Sequence, residues 1–300
     1  MADSYNQSTT EYRRSILIQS IIRLVVCIII TIIALFPIYI LVINSTRASS
    51  DIIMQGVSLI PGGSLIDNFK TLFDPTAANG TYVRSFQMWT GYANSLIIAV
   101  SSAVLTVFFS GVTAYGLTVY DFKLKGFATT FILAVMMIPT QVVSTGLLEF
   151  MVQIHLNDNY IPLILPAVAA PQVVFFMLQY MKSSFPLDIV EAARIDGCGE
   201  FRTFLQISLP ILKPAFAVQA IFAFVTSWNN YYTPSMLLIS SKPEQRTMPM
   251  MVTYVLNNDK VTNFGVNYLV VAISIVPVVI VYLCLSKFIV KGVALGAVKG

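Results

Sequence analysis

The pattern of hydrophobic positions is the most informative feature of this 300-residue chain. Apolar residues do not alternate with polar ones but form six runs of roughly 20 residues, about what a helix needs to cross a bilayer. Backbone groups in hydrocarbon must pair within their own segment, so the runs predict helices instead of alternating barrel strands. The predicted spans lie near residues 24–43, 96–117, 127–148, 161–181, 215–238 and 266–285.

Composition supports an integral membrane protein. Hydrophobic residues make up 56% of the chain and charged residues only 11%. The basic residues behind the net charge of +4 are spread along short loops and are not interleaved with aromatics, so no nucleic-acid partner is expected. Three scattered cysteines and one histidine provide no metal-ligand spacing, and no metal site is expected.

The distribution of Lys and Arg predicts the orientation of the spans. If the N-terminus is cytoplasmic, twelve of the 18 basic residues lie on the cytoplasmic side, as the positive-inside rule requires. The first run is too long for a signal peptide and no small-residue cleavage site follows it, so it is predicted to be retained. Residues 1–23 are then a cytoplasmic N-terminal segment, 24–300 a six-span domain, and 286–300 its cytoplasmic tail.

One predicted cytoplasmic loop, residues 186–213, is unusually charged for so apolar a chain. It contains the segment EAARIDGCGEFRTFLQISLP, Glu191–Pro210. Pro186 suits the first turn of a helix because its missing N–H would be unpaired there anyway. Gly197 and Gly199 can adopt the left-handed conformations that end a helix and turn the chain. The segment is therefore predicted to form a short helix–turn–helix that projects from the membrane.

Two small residues, Ala192 and Ala193, give this predicted unit a surface that a partner could approach closely. Such a face would fit a groove on a soluble protein. The alternative from these residues alone is an ordinary amphipathic loop at the membrane surface.

The same segment resembles the EAA loop of the membrane subunits of bacterial ATP-binding cassette (ABC) importers. That pattern is E-A-A, three residues, G, nine residues, I, one residue and L-P, and its fixed positions are matched by Glu191, Ala192, Ala193, Gly197, Ile207, Leu209 and Pro210. Four further stretches resemble the carbohydrate branch, closest to the second, six-span membrane subunit of maltose-type importers: Trp89–Val100, Met136–Val142, Ser227–Pro234 and Lys291–Gly300. The likeness extends from about residue 90 to the end.

The resemblance implies an all-α permease of the type I ABC importer fold in the bacterial cytoplasmic membrane, with both termini on the cytoplasmic side. It implies that the EAA loop docks on an ATPase subunit, with Glu191 as polar contact, Ala192 and Ala193 as close-packing face and Gly197 as turn. The implied partners are a second homologous membrane subunit, two ATP-binding subunits and an extracytoplasmic solute-binding protein, beside membrane lipid. The tail would reach down to the ATPase.

The expected function is translocation of a sugar, an oligosaccharide, by alternating access. The chain contains no Walker phosphate-binding motif, so it is not expected to be an enzyme, and ATP and Mg²⁺ would be bound by partner subunits. A permease for a polyol or glycerol phosphate is an alternative on the same fold. A stand-alone secondary carrier is disfavoured because the predicted spans contain no Asp, Glu, Lys or Arg.

Polar and aromatic residues within the predicted spans are the candidates for a substrate path. Amides suit the hydroxyls of a sugar and aromatic rings suit its C–H faces. The alternative is that these residues join helices through hydrogen bonds of about 0.6–2 kcal/mol each. The candidates are Thr140, Gln141, Ser144, Gln172, Gln219, Trp228, Asn229, Asn230 and Tyr231.

Overall fold

The computed structural model describes residues 2–76, 81–240, 242–257 and 262–297, and side chains within these ranges from residue 16 to residue 286. These residues form helices and no strands, which confirms the all-helical prediction. The helices are α1 (Ala2–Ser45), α2 (Ser49–Gln55), α3 (Leu65–Phe73), α4 (Thr81–Ser85), α5 (Met88–Val119), α6 (Lys125–Val135), α7 (Thr140–Gln153), α8 (Ile161–Ile164), α9 (Pro171–Ser184), α10 (Asp188–Ile195), α11 (Glu200–Thr203), α12 (Leu209–Trp228), α13 (Tyr232–Leu237), α14 (Met248–Leu256) and α15 (Phe264–Ala297).

Within the described ranges, five segments are long and apolar enough to cross a bilayer, and α6 with α7 make a sixth if they count as one span. The five are Ile16–Ser45, Thr81–Val119, Ile161–Ser184, Glu200–Trp228 and Phe264–Ser286. Two predicted boundaries are not visible as breaks in the chain. α1 runs unbroken through residue 23, and α15 continues past residue 286 as far as Ala297. The last three residues of the predicted tail, 298–300, lie outside the described residues.

The predicted third span, 127–148, is not one continuous helix. α6 ends at Val135, and α7 starts at Thr140 after a bend of 93°. The break falls at Pro139, which has no N–H to continue the helix and which disfavours helical geometry in the residue before it. Met137 in the break is 85% exposed. The span is therefore broken where the sequence analysis predicted continuity.

The predicted fourth span, 161–181, is interrupted as well. α8 passes into a short 3₁₀ turn before α9 begins at Pro171. The carbonyl of Ala167 would take its helical hydrogen bond from the residue-171 N–H, which proline lacks. The Thr106 hydroxyl of α5 donates to this carbonyl at 3.0 Å.

Two neighbouring hydroxyls on α5 donate to carbonyls at the two ends of the interruption. Ser102 donates to the Leu163 carbonyl at 3.4 Å, and Ser110 donates to the Ala170 carbonyl at 3.5 Å. Together with Thr106 they are spaced four residues apart, so they lie along one face of α5. This row of hydroxyls therefore lies along the interruption from Leu163 to Ala170.

The predicted fifth span, 215–238, is placed too late. α12 begins at Leu209 and ends at Trp228, and α13 follows as a separate short helix. The Asn230 side chain accepts a hydrogen bond from the N–H of Thr233 at 3.2 Å, so it supports the start of α13. Asparagine favours such local bonds over a continuing helix.

α5 lies at the centre of the bundle and packs against α9, α12 and α14. Small buried residues on α5 permit this close approach, as in many membrane interfaces. At Gly111 an added Cβ would overlap the Phe216 ring of α12. α1 packs against α15 and leaves an exposed row of Ile, Leu and Val side chains, as expected of a surface that faces lipid.

One end of the bundle is covered by the cap, residues 46–73, which contains α2 and α3. Arg47 is only 5% exposed and donates to the Gly56 carbonyl at 2.7 Å and the Gln55 side-chain oxygen at 2.8 Å. Asn68 donates to the carbonyls of Ser45 and Arg47 at 2.8 and 2.9 Å. Buried polar groups are tolerated only when they are hydrogen-bonded in this way. The network thus fixes the cap to the end of α1.

Replacing Gly265 with alanine should destabilise the protein. The new Cβ would overlap the Arg47 carbonyl oxygen and lie 2.6 Å from the Asn68 amide nitrogen, where α15 meets the cap. Overpacking of this kind costs about 1–3 kcal/mol. Thermal unfolding of the purified protein in mild detergent should show a lower midpoint for Gly265→Ala.

Gly63→Ala is the matched control, because nothing lies within 4 Å of its added Cβ and it also lies in the cap. Equal midpoints for the two variants would contradict the close contact at Gly265.

Candidate coupling site

The EAA segment lies at the end of the bundle opposite the cap and begins with α10. Val190 and Ala193 point inward and are 1% and 5% exposed, whereas Glu191 and Ala192 are exposed. Among the described residues, the Glu191 carboxylate has no hydrogen-bond or ion-pair partner. The predicted two-alanine outer face is therefore only half present, because Ala193 packs against this chain's own core.

The turn after α10 confirms the left-handed conformation predicted for Gly197 but not for Gly199, whose φ is −69°. The φ of Gly197 is +75°, a left-handed conformation that is unfavourable for residues with a Cβ. The N–H of Cys198 donates to the Ala193 carbonyl at 2.9 Å, and the N–H of Gly197 donates to the Arg194 carbonyl at 3.0 Å. These two bonds form a Schellman motif, which pairs the last carbonyls of a helix.

The second half of the segment runs from α11 through a π-helical turn, Phe204–Ser208, into α12. Phe204 and Ser208 are buried at 3% and 0% exposure. Of the remaining motif positions, Ile207 and Leu209 are half-buried and Pro210 is exposed in the first turn of α12. These positions hold the loop to the bundle and leave its tip outside.

Exposed apolar side chains surround Glu191 and Ala192 at the tip. Ile195 is 87% exposed and Phe201 is 64% exposed. The sequence analysis did not single out Ile195, because an isoleucine at a helix end carries no signal of its own. The four residues make up the tip surface, which combines a carboxylate, a small residue and two large apolar groups.

A charged cluster joins the two short helices to α5. The Arg194 guanidinium pairs with the Glu200 carboxylate at 2.8 Å, and the Tyr120 hydroxyl donates to the other carboxylate oxygen at 2.7 Å. Loss of hydration on burial and the bond to Glu200 raise the pKa of Tyr120 to about 12, so it stays protonated as a donor. Sequence reasoning missed Tyr120, whose only signal was its place just after a span.

The candidate path residues do not form one continuous lining. Ser144 on α7 lies 3.1 Å from the Thr233 hydroxyl of α13, beside Asn230 and Tyr231. Thr140, Gln141 and Gln172 are exposed, and Gln219 is buried on α12. No hydrogen bond between described residues joins Gln172 or Gln219 to the other candidates.

Trp228 and Asn229 line a small cavity of about 210 Å³ near the cap end. The Trp228 ring stacks on Phe224 with centroids 5.7 Å apart, and its N–H donates to the Ser274 carbonyl at 3.3 Å. The other lining residues are Met248, Pro249, Val252, Thr253, Ser274 and Ile275, all uncharged. Sequence analysis missed them because α14 and α15 supply them from distant segments.

Within the described ranges, no three His, Cys, Asp or Glu side chains lie close enough together to hold a metal ion.

Comparison with known proteins places these features in a family. Residues 107–295 match the family described as the binding-protein-dependent transport system inner membrane component. The chain belongs to this family. It is therefore the membrane component of an ABC transport system and not itself an enzyme. The matched region contains the whole of the EAA segment and the cluster at Tyr120.

Several full-length relatives are similar. The arabinooligosaccharides transport system permease protein AraQ of Bacillus subtilis is 35% identical over 89% of this chain and 91% of its own length. The probable starch degradation products transport system permease protein AmyC of Thermoanaerobacterium thermosulfurigenes is 30% identical over 95% and 99%. The sn-glycerol-3-phosphate transport system permease protein UgpE of Salmonella typhimurium is 27% identical over 86% and 90%.

A solved structure shares the fold. A chain in the crystal structure of a bacterial ABC transporter involved in the import of the acidic polysaccharide alginate superposes with a TM-score of 0.74. The match covers 91% of this chain and 97% of that chain at 22% sequence identity. The all-helical bundle is thus the ABC importer permease fold.

Replacing Gly197 with alanine should loosen the end of α10. A Cβ at φ +75° costs about 1–2 kcal/mol, since left-handed geometry brings it close to the carbonyl oxygen. Amide hydrogen exchange in α10 should accelerate by roughly five- to thirtyfold, in proportion to that cost. Mass spectrometry of exchanged peptides that cover α10 would measure it.

Gly199→Ala is the control in the same turn, because Gly199 has a φ of −69° and open space around it. Equal acceleration in both variants would show that the left-handed conformation at Gly197 does not limit the helix.

Proposed function

We propose that this chain is a permease subunit of an ABC importer for an oligosaccharide, and that its EAA loop is the joint to an ATPase. The observation that carries this proposal is the geometry of the tip surface. α10 is fixed to the bundle through Val190 and Ala193, whereas Glu191, Ala192, Ile195 and Phe201 face outward. Exposed apolar groups around a carboxylate suit a protein partner better than they suit water.

The proposed assembly contains a second homologous membrane subunit, two ATP-binding subunits that hold ATP and Mg²⁺, and an extracytoplasmic solute-binding protein. Membership of a binding-protein-dependent transport family supports the last two kinds of partner. The predicted N-in orientation, which puts twelve of the 18 basic residues inside, would place the EAA loop in the cytoplasm with the ATPase. Exposed apolar residues such as Met137 in the α6–α7 break support an additional membrane partner.

The proposed mechanism is alternating access driven from the tip surface. ATPase closure moves the EAA loop, whose Val190 on α10 and Phe204 after α11 lie in the core formed with α5, α9 and α12. A ligand shifts a conformational equilibrium only through its different affinity for the two states. ATP acts on the loop end and the loaded binding protein on the cap end, so both bias the same pair of states.

The proposed substrate is a neutral sugar chain. Two relatives at 30% identity or above are named for arabinooligosaccharides and starch degradation products. The cavity beside Trp228 and Asn229 offers an aromatic ring edge, an amide and hydroxyls, with no charged residue in its lining. Sugar sites are built from such groups. The remaining candidate path residues are also proposed to contact the sugar, and they do not line the same cavity.

Glycerol phosphate is the second candidate substrate, since UgpE proteins are 27% identical to this chain. A phosphate ester requires cations that pair with its charge. The neutral lining of the cavity favours the sugar.

Glu191→Arg should abolish binding of the ATPase. A reversed charge at the centre of the tip surface would face the same partner groups as the carboxylate, and like charges at an interface cost several kcal/mol. The test is affinity purification of the tagged chain from its native membrane in mild detergent, followed by mass spectrometry. The wild type should retain a Walker-containing ATPase that the variant loses.

Asp121→Arg is the control, because it makes the same charge change at an exposed residue outside the EAA loop. Loss of the ATPase from both variants, or from neither, would contradict docking at Glu191.

Arabino-oligosaccharides should stimulate ATP hydrolysis by the assembled transporter, whereas sn-glycerol 3-phosphate should not. The reason is the absence of charge around the cavity at Trp228 and Asn229. Hydrolysis would be measured in liposomes that contain the purified complex and its binding protein, with each solute added in turn. Stimulation by sn-glycerol 3-phosphate and not by the oligosaccharides would contradict the sugar proposal and favour glycerol phosphate as the substrate.

A further inference from the structure

The two short helices of the EAA loop are joined by more than the turn between them. Arg194 lies in the last turn of α10 and Glu200 is the first residue of α11, and their side chains pair at 2.8 Å across the Gly197 turn. The ion pair therefore connects the two helices directly, beside the backbone of the turn, and favours one angle between them.

The same carboxylate connects this unit to the central helix. Tyr120 follows the last residue of α5 and donates its hydroxyl hydrogen bond to Glu200 at 2.7 Å. Its ring also faces the Arg194 guanidinium, which lies 5.6 Å from the ring centroid. One tyrosine thus contacts both charged residues. We call Tyr120, Arg194 and Glu200 the Tyr120 cluster.

α5 has a second contact with the loop, but it is of a different kind. The Tyr115 ring packs edge-to-face on Phe204 and Phe185, with centroids 5.3 and 6.4 Å apart. Ring contacts of this type tolerate sliding, because dispersion and burial have little directional preference. A hydrogen bond to a carboxylate loses strength steeply with angle and distance. The Tyr120 cluster is therefore a directional contact that favours one position of the loop against α5.

The exposure of the cluster argues against a main role in stability. The Arg194 and Glu200 side chains are 39% and 44% exposed. Exposed ion pairs contribute little to folding because water and salt screen them. They can still favour one loop position over another. That preference depends on the free-energy difference between two folded conformations, and it does not require the pair to stabilise the folded protein against unfolding.

We propose that Tyr120, Arg194 and Glu200 are positioning residues that transmit movement of the EAA loop to α5, so that ATP hydrolysis is tied to solute movement. This inference rests on the proposed function, because it requires that the ATPase docks on the loop. It assigns no contact with the ATPase to the three residues. Loss of the cluster should leave docking intact and weaken the coupling between hydrolysis and transport.

The test variant is Tyr120→Phe, which keeps the ring and removes only the hydroxyl. The complex that co-purifies with the tagged chain is reconstituted in liposomes with its binding protein, and ATP consumed per solute imported is measured. We expect the variant to retain the ATPase, to unfold at an unchanged temperature and to consume about three- to tenfold more ATP per solute. Tyr180→Phe is the control, since Tyr180 lies on α9 at the same end and the structure gives its hydroxyl no partner among the described residues.

A double-mutant cycle adds a readout that a general loss of structure would not reproduce. If Tyr120 and Glu200 act through one bond, Tyr120→Phe combined with Glu200→Ala should be no more uncoupled than Glu200→Ala alone. Additive effects would overturn the proposal, and so would an unchanged ATP-to-solute ratio in Tyr120→Phe.

The outcome for Glu191→Arg separates this inference from the proposed function. If Glu191→Arg loses the ATPase while Tyr120→Phe transports normally, docking at the loop stands and the positioning role fails. If Tyr120→Phe itself loses the ATPase, the cluster shapes the docking surface and does not transmit movement, which also overturns the inference. If Glu191→Arg keeps the ATPase, the proposed joint is wrong and the inference fails with it.

Discussion

The fold depends on the constraint that hydrocarbon offers no hydrogen bonds to the backbone. The span Ile161–Ser184 contains prolines that remove helical donors, so its interruption would leave carbonyls unpaired in the membrane. The Thr106 hydroxyl of α5 supplies the bond that the Ala167 carbonyl would otherwise lack. α5 is thus the central packing surface and also the helix whose side chains allow its neighbour to bend. Rigid structure at the centre of the bundle follows from this pairing.

The two ends of the bundle satisfy their polar groups differently. At the cap, buried Arg47 and Asn68 bond to carbonyls and fix the chain between α1 and α15. At the loop end the charged groups of the Tyr120 cluster stay partly in water, where their bonds cost little to break. A fixed cap and an adjustable loop suit a protein whose conformational change is driven from the loop. The contrast arises from burial, not from the types of residue involved.

Proline illustrates why parts of the fold could not be predicted from the sequence. Pro139 stands at a bend of 93°, whereas Pro214 and Pro277 lie inside continuous helices. Each proline removes one donor, and the result depends on neighbouring groups that the local sequence does not specify. The span at 127–148 was predicted as continuous for this reason. The candidate path has the same difficulty, because α14 and α15 supply six of the eight residues that line the cavity beside Trp228.

The sequence by itself determined the membrane environment, the helical class, the family and a glycine turn after the first short helix of the EAA loop. Long apolar runs in a bilayer favour helices, and Gly197 and Gly199 both permitted the left-handed conformation that Gly197 adopts. Tertiary structure alone decided which way Ala193 faces, where the spans break and which tyrosine meets Glu200. These features depend on contacts between residues far apart in the chain, such as the 80 positions that separate Tyr120 from Glu200. Local pattern indicates where helices form, whereas packing between helices decides where they break and which of their faces stay exposed.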